Sequence, residues 1–424
     1  MKQRDIELTI DYVGRRGDGV GAFEGKPVFV PRALAGETVQ VKLLESRDKG
    51  YAARLLQVVS PSADRIAAPC PHYDKCGGCS LQHWQGYEGW KAERSLELLE
   101  KAGVLAEQVK PTIYIPAGTR RRATLAAHKQ NGKVHLGYHR ARSHDIVNIP
   151  NCLILTPRLQ VLIEAIRPYL VAILADNKPA DIFVQDTGDV LDVMITGPVA
   201  SGKKFNLAVR EAMGDMVREC NIARLSWRAK DTDEPELILQ PAPVIKKSGL
   251  LSVELPPGAF MQPSAEGEAA LVAAILEPIK AAGSKNIADL FAGCGTFTGP
   301  LLQYGTIYAA ESDRASVQAL QKASAGITQL NTAYRNLFSD PLTEKELNEF
   351  DAVIMDPPRM GAKEQAETFA WSDVKLIVSV SCNPTTFVRD AKTLIEGGYK
   401  FRSVQIIDQF TYSSHVELVG VFAR

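Results

Sequence analysis

Apolar and polar residues alternate in IELTIDYVG, KPVFVPRAL and ETVQVKLLES, all within residues 1–58, and glycines 14, 17, 19 and 21 punctuate them. A period of two broken by glycine is the pattern of short, half-buried strands joined by tight turns. Residues 1–58 are therefore expected to form a small OB-like β-barrel. Pro61, Pro69 and Pro71 then predict a linker. YEGWKAERSLELLEKAG (86–102) has helical periodicity. RATLAAHK with KVHLGYHR, and ADIFVQDTGDVLDVMITG about Gly188-Asp189, read as hairpins, and KFNLAVREAMGDMVREC as an amphipathic helix. From residue 264 the pattern changes. A helix over 264–282 precedes the apolar strand IADLF (287–291), GTFTGPLLQ opens another helix, and TIYAAES, DAVIMD (351–356), KLIVSVS (375–381), SVQIIDQF (403–410) and HVELVGVFA (415–423) are strands. Alternating helix and strand predicts a doubly wound sheet whose last two strands pair antiparallel. The fold class is multidomain α/β: a barrel at 1–58, a central α+β domain at 59–255 and a doubly wound domain at 256–424.

Composition narrows the class. The chain has 424 residues, 45% of them hydrophobic and 23% charged, as in an ordinary globular protein, which excludes dominant disorder. No apolar run approaches 18 residues and no basic-then-apolar leader is visible, so neither a membrane span nor a signal peptide is expected and a cytoplasmic location is. The 49 basic and 49 acidic residues cancel only globally: residues 1–150 hold 23 Lys/Arg against 16 Asp/Glu. Residues 120–144 carry Arg120, Arg121, Arg122, Lys129, Lys133, Arg140 and Arg142, four histidines and no acid. Either this is a solvated strand face or it faces phosphates; the missing counter-charges favour the latter.

Three motifs carry chemistry. D289-L-F-A-G-C-G-T-F297 joins a buried strand to a helix through two glycines, and the next strand ends in Glu311, 22 residues after Asp289. A glycine turn that lets a ligand approach backbone N–H groups, with an acid for ribose hydroxyls, fits NAD or S-adenosylmethionine (SAM); the third glycine of a dinucleotide fingerprint is missing. D356-P-P-R-M-G361 stands at the carboxyl end of a strand, where open sheets bind ligands and where nucleic-acid methyltransferases frame a target base. C382-N-P ends the next strand. Most lone cysteines are small core residues. A thiolate here could instead add to carbon 6 of uracil, making carbon 5 nucleophilic, and Glu417 is the carboxylate placed to remove the carbon-5 proton.

The chain resembles the RNA 5-methyluridine methyltransferase family in F260-M-Q262-P-S264, DLFAGCGTF, DPPRMG, SCNP and HVE, in family order and with 35 residues from Cys382 to Glu417. The resemblance implies Cys382 as nucleophile and Glu417 as base, with Gln262, Phe291, Thr296, Glu311, Asn336 and Asp356 around SAM. Ala292, Thr296 and Ser264 depart from the usual residues, which puts the side-chain contacts of Thr296 and Ser264 in question. A cytosine-5 enzyme would carry its cysteine in another context, and an amino-group methyltransferase would place an aromatic residue where Arg359 stands.

C70-P-H-Y-D-K-C76-G-G-C79 packs three thiols into ten residues, and their odd number and the absence of a secretion signal disfavour disulfides. Residue chemistry leaves a zinc site, with His72 or His83, and an iron–sulfur cluster both open. The resemblance implies a [4Fe–4S] cluster with Cys152 as the fourth ligand. It also makes 1–58 a TRAM domain and points to structured RNA as the partner, large-subunit ribosomal RNA ahead of transfer RNA, with no membrane and no obligate protein partner. A non-catalytic iron–sulfur RNA-binding protein is the alternative from another class.

Overall fold

Val28 and Val30 are wholly buried while Phe29 between them is half-exposed, the alternation expected of KPVFVP. The computed structural model describes all residues except 1–3, 48–49 and 201–204. The chain divides into two compact units, one of residues 1–94, 138–147 and 410–415, the other of the remainder.

In the first unit a six-stranded sheet runs in the order Asp5–Thr9, Thr38–Arg47, Gly50–Ser60, Lys26–Pro31, Asp18–Phe23, Tyr12–Val13. Leu8, Val28, Val30, Val39, Val41 and Ala53 form its core. The expected linker is clipped down: Arg65 reaches back to the buried Glu37 carboxylate at 2.5 and 2.7 Å. Residues 410–415 also belong to this unit. Tyr412 O accepts the Ser80 and Leu81 N–H groups at 2.9 and 3.1 Å. Phe410 O accepts Lys91 Nζ at 3.0 Å and Ser414 O accepts Arg94 at 3.0 Å.

The second unit has two large sheets. In one, both expected hairpins form: Arg122–Gln130 with Lys133–His139, and Pro179–Asp186 with Leu191–Thr196. Ile222–Arg228 extends it in parallel and Glu236–Leu239 follows. Helices Pro157–Ile173 and Leu207–Glu219, capped by Thr156 and Asn206, bury Leu162, Ile166, Met213 and Met216.

The other sheet has the order Leu330–Tyr334, Thr306–Glu311, Asn286–Leu290, Ala352–Met355, Leu376–Ser381, Glu417–Ala423, Lys400–Asp408, with Gln108–Val109 and Ile113–Tyr114 beside the last. The first five are parallel, and Glu417–Ala423 is antiparallel to both its neighbours. Ile287, Ala288, Val353, Ile354, Ile377 and Val378 are fully buried, as expected of strands covered on both faces. Chain order reverses at Asn286–Leu290, so the carboxyl ends of Asn286–Leu290 and Ala352–Met355 flank the crevice where such sheets bind ligands. No helix among the described residues is long and apolar enough to cross a membrane.

One expected helix is cut short. GTFTGPLLQ is helical only over Thr298–Leu301. An additional hairpin, Ile245–Ser248 with Leu251–Glu254, presses on it so closely that a Cβ at Gly299 would lie 1.8 Å from Ser248 O. Gly299→Ala should therefore cost about 3 kcal/mol or more, read as a lower denaturant midpoint. An unchanged midpoint would mean that the hairpin is not packed against this turn.

Candidate active site

The strand Asn286–Leu290 delivers Asp289 into the interior, where Oδ2 accepts the Thr298 hydroxyl at 2.6 Å and Oδ1 has no partner. Phe291 follows in a left-handed conformation (φ 63°), turning the chain out of the sheet toward Gly293 and Gly295. Its ring lies 5.5 Å from that of Phe338. Glu311, at the end of the neighbouring strand, accepts the Gly293 N–H on Oε2 at 2.9 Å and the Ser312 and Asp313 N–H groups on Oε1 at 2.6 and 2.8 Å. The acid thus braces the glycine turn and keeps a lone pair on Oε2 for a ribose hydroxyl. Asn336 is exposed, with its Oδ1 accepting the Phe338 N–H at 3.1 Å.

Beside that turn, starting from Asp356 at the end of the neighbouring strand, lies a chain of polar side chains. Gln262 donates to Asp356 Oδ2 at 3.2 Å. Gln409 donates to Gln262 Oε1 at 3.0 Å and to Glu417 Oε1 at 3.4 Å. Gln262, Gln409 and Glu417 are all buried. Burial first, then the Asp356 charge, holds the Glu417 carboxyl well above its ordinary range, while Gln409 and Arg359 pull it back. Burial and the Asp289 charge likewise raise Asp356, against Gln262. Burial, then the charges of Glu417 and Asp356, pushes the Cys382 thiol up to about 11, with Arg359 opposing. These groups therefore share one low-dielectric pocket in which adding negative charge is costly.

The two motif loops are tied together. Asn383 caps the helix Pro384–Glu396 through the Thr385 N–H, and its Nδ2 donates to Arg359 O at 2.9 Å. Thr386 reaches the same carbonyl at 3.3 Å and Arg389 reaches Met360 O at 2.9 Å. The residues after Cys382 thus fix the loop after Asp356.

Behind the pocket stands a buried ionic network absent from the expected site. Glu268 Oε2 pairs with Arg121 at 2.6 Å and Lys246 at 2.9 Å. Arg121 also donates to Gln262 O at 3.0 Å, and Lys246 to Thr296 Oγ1 at 2.8 Å. The Thr296 hydroxyl is thereby engaged from behind, in keeping with its departure from the usual residue. This network corrects the reading of residues 120–144 as cations without counter-charges. Arg121 and Lys129 are buried against Glu268 and Asp176, acids supplied from far along the chain, and Arg142 meets Asp18. Arg122 lies 4.2 Å from the ring of Phe260, which is exposed. Lys133, Arg140 and Arg142 are the exposed cations of the set, and among the described residues Arg142 is the one of these paired with an acid. Of Arg120–Arg122, Arg121 is thus held by a structural ion pair.

The cysteine expectation fares differently. None of the seven cysteines is in a disulfide. Cys76 is buried, its Sγ accepts the Gly78 N–H at 3.3 Å, and the Cys70 charge adds to burial in raising its thiol. Yet among the described residues no three His, Cys, Asp or Glu side chains are gathered to hold a metal ion. Cys70, Cys76 and Cys79 belong to the first unit and Cys152 to the second. The thiols are chemically suited to iron, but the described geometry does not form the expected site.

Comparison with known proteins agrees with this architecture. The tRNA (Uracil-5-)-methyltransferase family model matches residues 249–424 and the TRAM domain model residues 1–56. An uncharacterized RNA methyltransferase of Caulobacter vibrioides is 37% identical over 430 residues, covering 99% of this chain and 100% of that protein. The 23S rRNA (uracil(1939)-C(5))-methyltransferase RlmD of Aeromonas hydrophila is 30% identical, covering 99% and 96%. The fold is that of the Pyrococcus abyssi tRNA (uracil-54, C5)-methyltransferase solved with S-adenosyl-L-homocysteine, at a TM-score of 0.74 and 22% identity over 98% of this chain and 99% of that one.

Two outcomes follow from the geometry. Glu268→Gln leaves Arg121 and Lys246 buried without a counter-charge and should cost about 3–5 kcal/mol in chemical denaturation; a loss below about 1 kcal/mol would be that of an exposed pair. Alkylation of Cys382, followed by peptide mass spectrometry against pH, should rise only in the alkaline range, with a midpoint near 11. Glu417→Gln removes a negative charge that raises the thiol, so that midpoint should fall; a fixed midpoint would uncouple the two groups.

Proposed function

The chain belongs to the RNA uracil-5-methyltransferase family and is a SAM-dependent RNA (uracil-C5)-methyltransferase, and from that premise we propose that it modifies a uridine of large-subunit ribosomal RNA, with Cys382 as nucleophile and Glu417 as base. The grouping of Cys382, Asp356 and Glu417 at adjoining strand ends in one buried pocket carries the mechanism. The ribosomal target rests on the Aeromonas hydrophila relative, similar along nearly the whole chain.

Carbon 5 of uracil is a weak nucleophile, and its base must leave the RNA stack to reach a buried pocket. Cys382 gives up its proton to solvent before the base closes the pocket, and the thiolate adds to carbon 6, sending the electron pair through carbon 5 toward the carbon-4 oxygen. SAM, when bound, supplies an electrophilic methyl group. Carbon 5 then bears both the methyl and its original hydrogen. The Glu417 carboxylate takes that proton, the carbon 5–carbon 6 double bond reforms, and the sulfur–carbon bond breaks to return the thiolate. Glu311 would hold the ribose, Phe291 and Asn336 the adenosine end, and Gln262, Asp356 and the backbone at Thr296 the side nearest the base. The barrel, with Lys133 and Arg140, would hold phosphates. A cytoplasmic location and the absence of an obligate protein partner fit this role.

With labelled SAM and an unmodified rRNA transcript, Cys382→Ala should retain RNA binding and give neither product nor covalent adduct. Glu417→Gln should trap the methylated adduct. An active Cys382→Ala enzyme would sink the mechanism. In cells lacking the gene, one 5-methyluridine of large-subunit rRNA should disappear; loss from transfer RNA instead would reassign the target.

The [4Fe–4S] cluster is a separate proposal, supported by the donor chemistry of Cys70, Cys76, Cys79 and Cys152. Iron and acid-labile sulfide in anaerobically purified protein would support it, and zinc in their place would overturn it.

A further inference from the structure

We propose that Gln409, which stands outside every motif of the chain, is a positioning residue for Glu417: its carboxamide, held between Gln262 and Glu417, aims the carboxyl that takes the carbon-5 proton. The proposal rests on the catalytic reading given above. Gln409 lies one residue past the strand Lys400–Asp408, and Ile407 in that strand pairs with Glu417, so the hairpin register brings residues 409 and 417 together. Both are buried. Of the two N–H groups on Nε2, one donates to Gln262 Oε1 and the other to Glu417 Oε1, while Gln262 Nε2 donates to Asp356 Oδ2. Two carboxyls are thus joined through two amides, and each carboxyl receives a donor at its end of the chain.

The carboxamide has little freedom to turn away. A Cβ at Gly267 would lie 2.3 Å from Gln409 Oε1 and 2.9 Å from its Cβ, so the helix backbone backs directly onto the amide. Space-filling alone does not explain a glutamine here, because burying an amide is unfavourable unless its hydrogen bonds are used; both Nε2 protons are used, while Oε1 has no partner. An N–H pointed at Glu417 favours the carboxylate, the form that accepts a proton. It works with Arg359 and against burial and the Asp356 charge, and Cys382 is a further ionisable neighbour. Removing the donor therefore moves the carboxyl further up and its acid limb to higher pH.

The test uses the full-length enzyme, labelled SAM and an unmodified large-subunit rRNA transcript in single-turnover reactions across pH. Gln409→Leu should accumulate a methyl-labelled protein–RNA adduct on denaturing gels, with breakdown slowed about ten-fold. The acid limb of breakdown should shift upward and the KM for SAM should stay unchanged. In a Glu417→Gln background Gln409→Leu should add nothing, because the two act through one group. Gln409→Met, flexible and near in shape, is read the same way if the leucine variant folds poorly. An unshifted acid limb without adduct, or an equal loss in the Glu417→Gln background, would overturn the assignment. A parent enzyme that forms no Cys382-dependent adduct would overturn the underlying mechanism and this assignment with it.

Discussion

One carboxylate, Glu268, carries the arrangement of the pocket. Through Arg121 it fixes the backbone of Gln262, and through Lys246 it fixes Thr296 in the glycine turn. Gln262 and the glycine turn come from different segments of the chain, and both are referenced to one oxygen atom, Glu268 Oε2. Two cations on one anion, with side chains almost wholly enclosed, form a network in which each member needs the others, since burying any one alone would be strongly unfavourable. Such a network sets distances more sharply than apolar packing would, because its bonds are directional.

The pocket in front of that network is withdrawn from water. Asp289, Asp356 and Glu417 are enclosed acids, and each raises another or the Cys382 thiol. Such a site is reluctant to hold thiolate and carboxylates together at rest, and its reactive forms are favoured only when other charge enters. The amides of Gln262 and Gln409 and the Arg359 side chain moderate the repulsion. Asn383 keeps the Arg359 loop in register with the strand bearing Cys382.

Much of this was legible in the chain. The strands of the C-terminal sheet announce themselves as apolar runs, and their motifs fall at the carboxyl ends because the runs stop there. Asp356, Cys382 and Glu417 could be brought together from topology alone, and Ser264 caps the helix Ala265–Ala282 at the boundary that the pattern expects. What stayed hidden was long-range pairing. Arg121 looks like one cation in a basic run until Glu268, 147 residues later, neutralises it. Lys246 sits beside Lys247 in the chain, yet only Lys247 is exposed. Gln409 ends an apolar strand with no local hint of its partners. GTFTGPLLQ kept only four helical residues because a hairpin invisible to periodicity closes on Gly299.

The excursion of residues 410–415 has a topological consequence. The strand Lys400–Asp408 and the strand Glu417–Ala423 are partners in the catalytic sheet, but the segment joining them is bonded to Ser80, Leu81, Lys91 and Arg94. The connection between these two strands therefore belongs to the barrel-bearing unit. A fragment cut after Arg94 would retain every strand of the large sheet from Asn286 onward and still lose the four hydrogen bonds that hold the connection leading into Glu417. Modularity visible along the sequence is, at this one loop, interleaved in the folded chain.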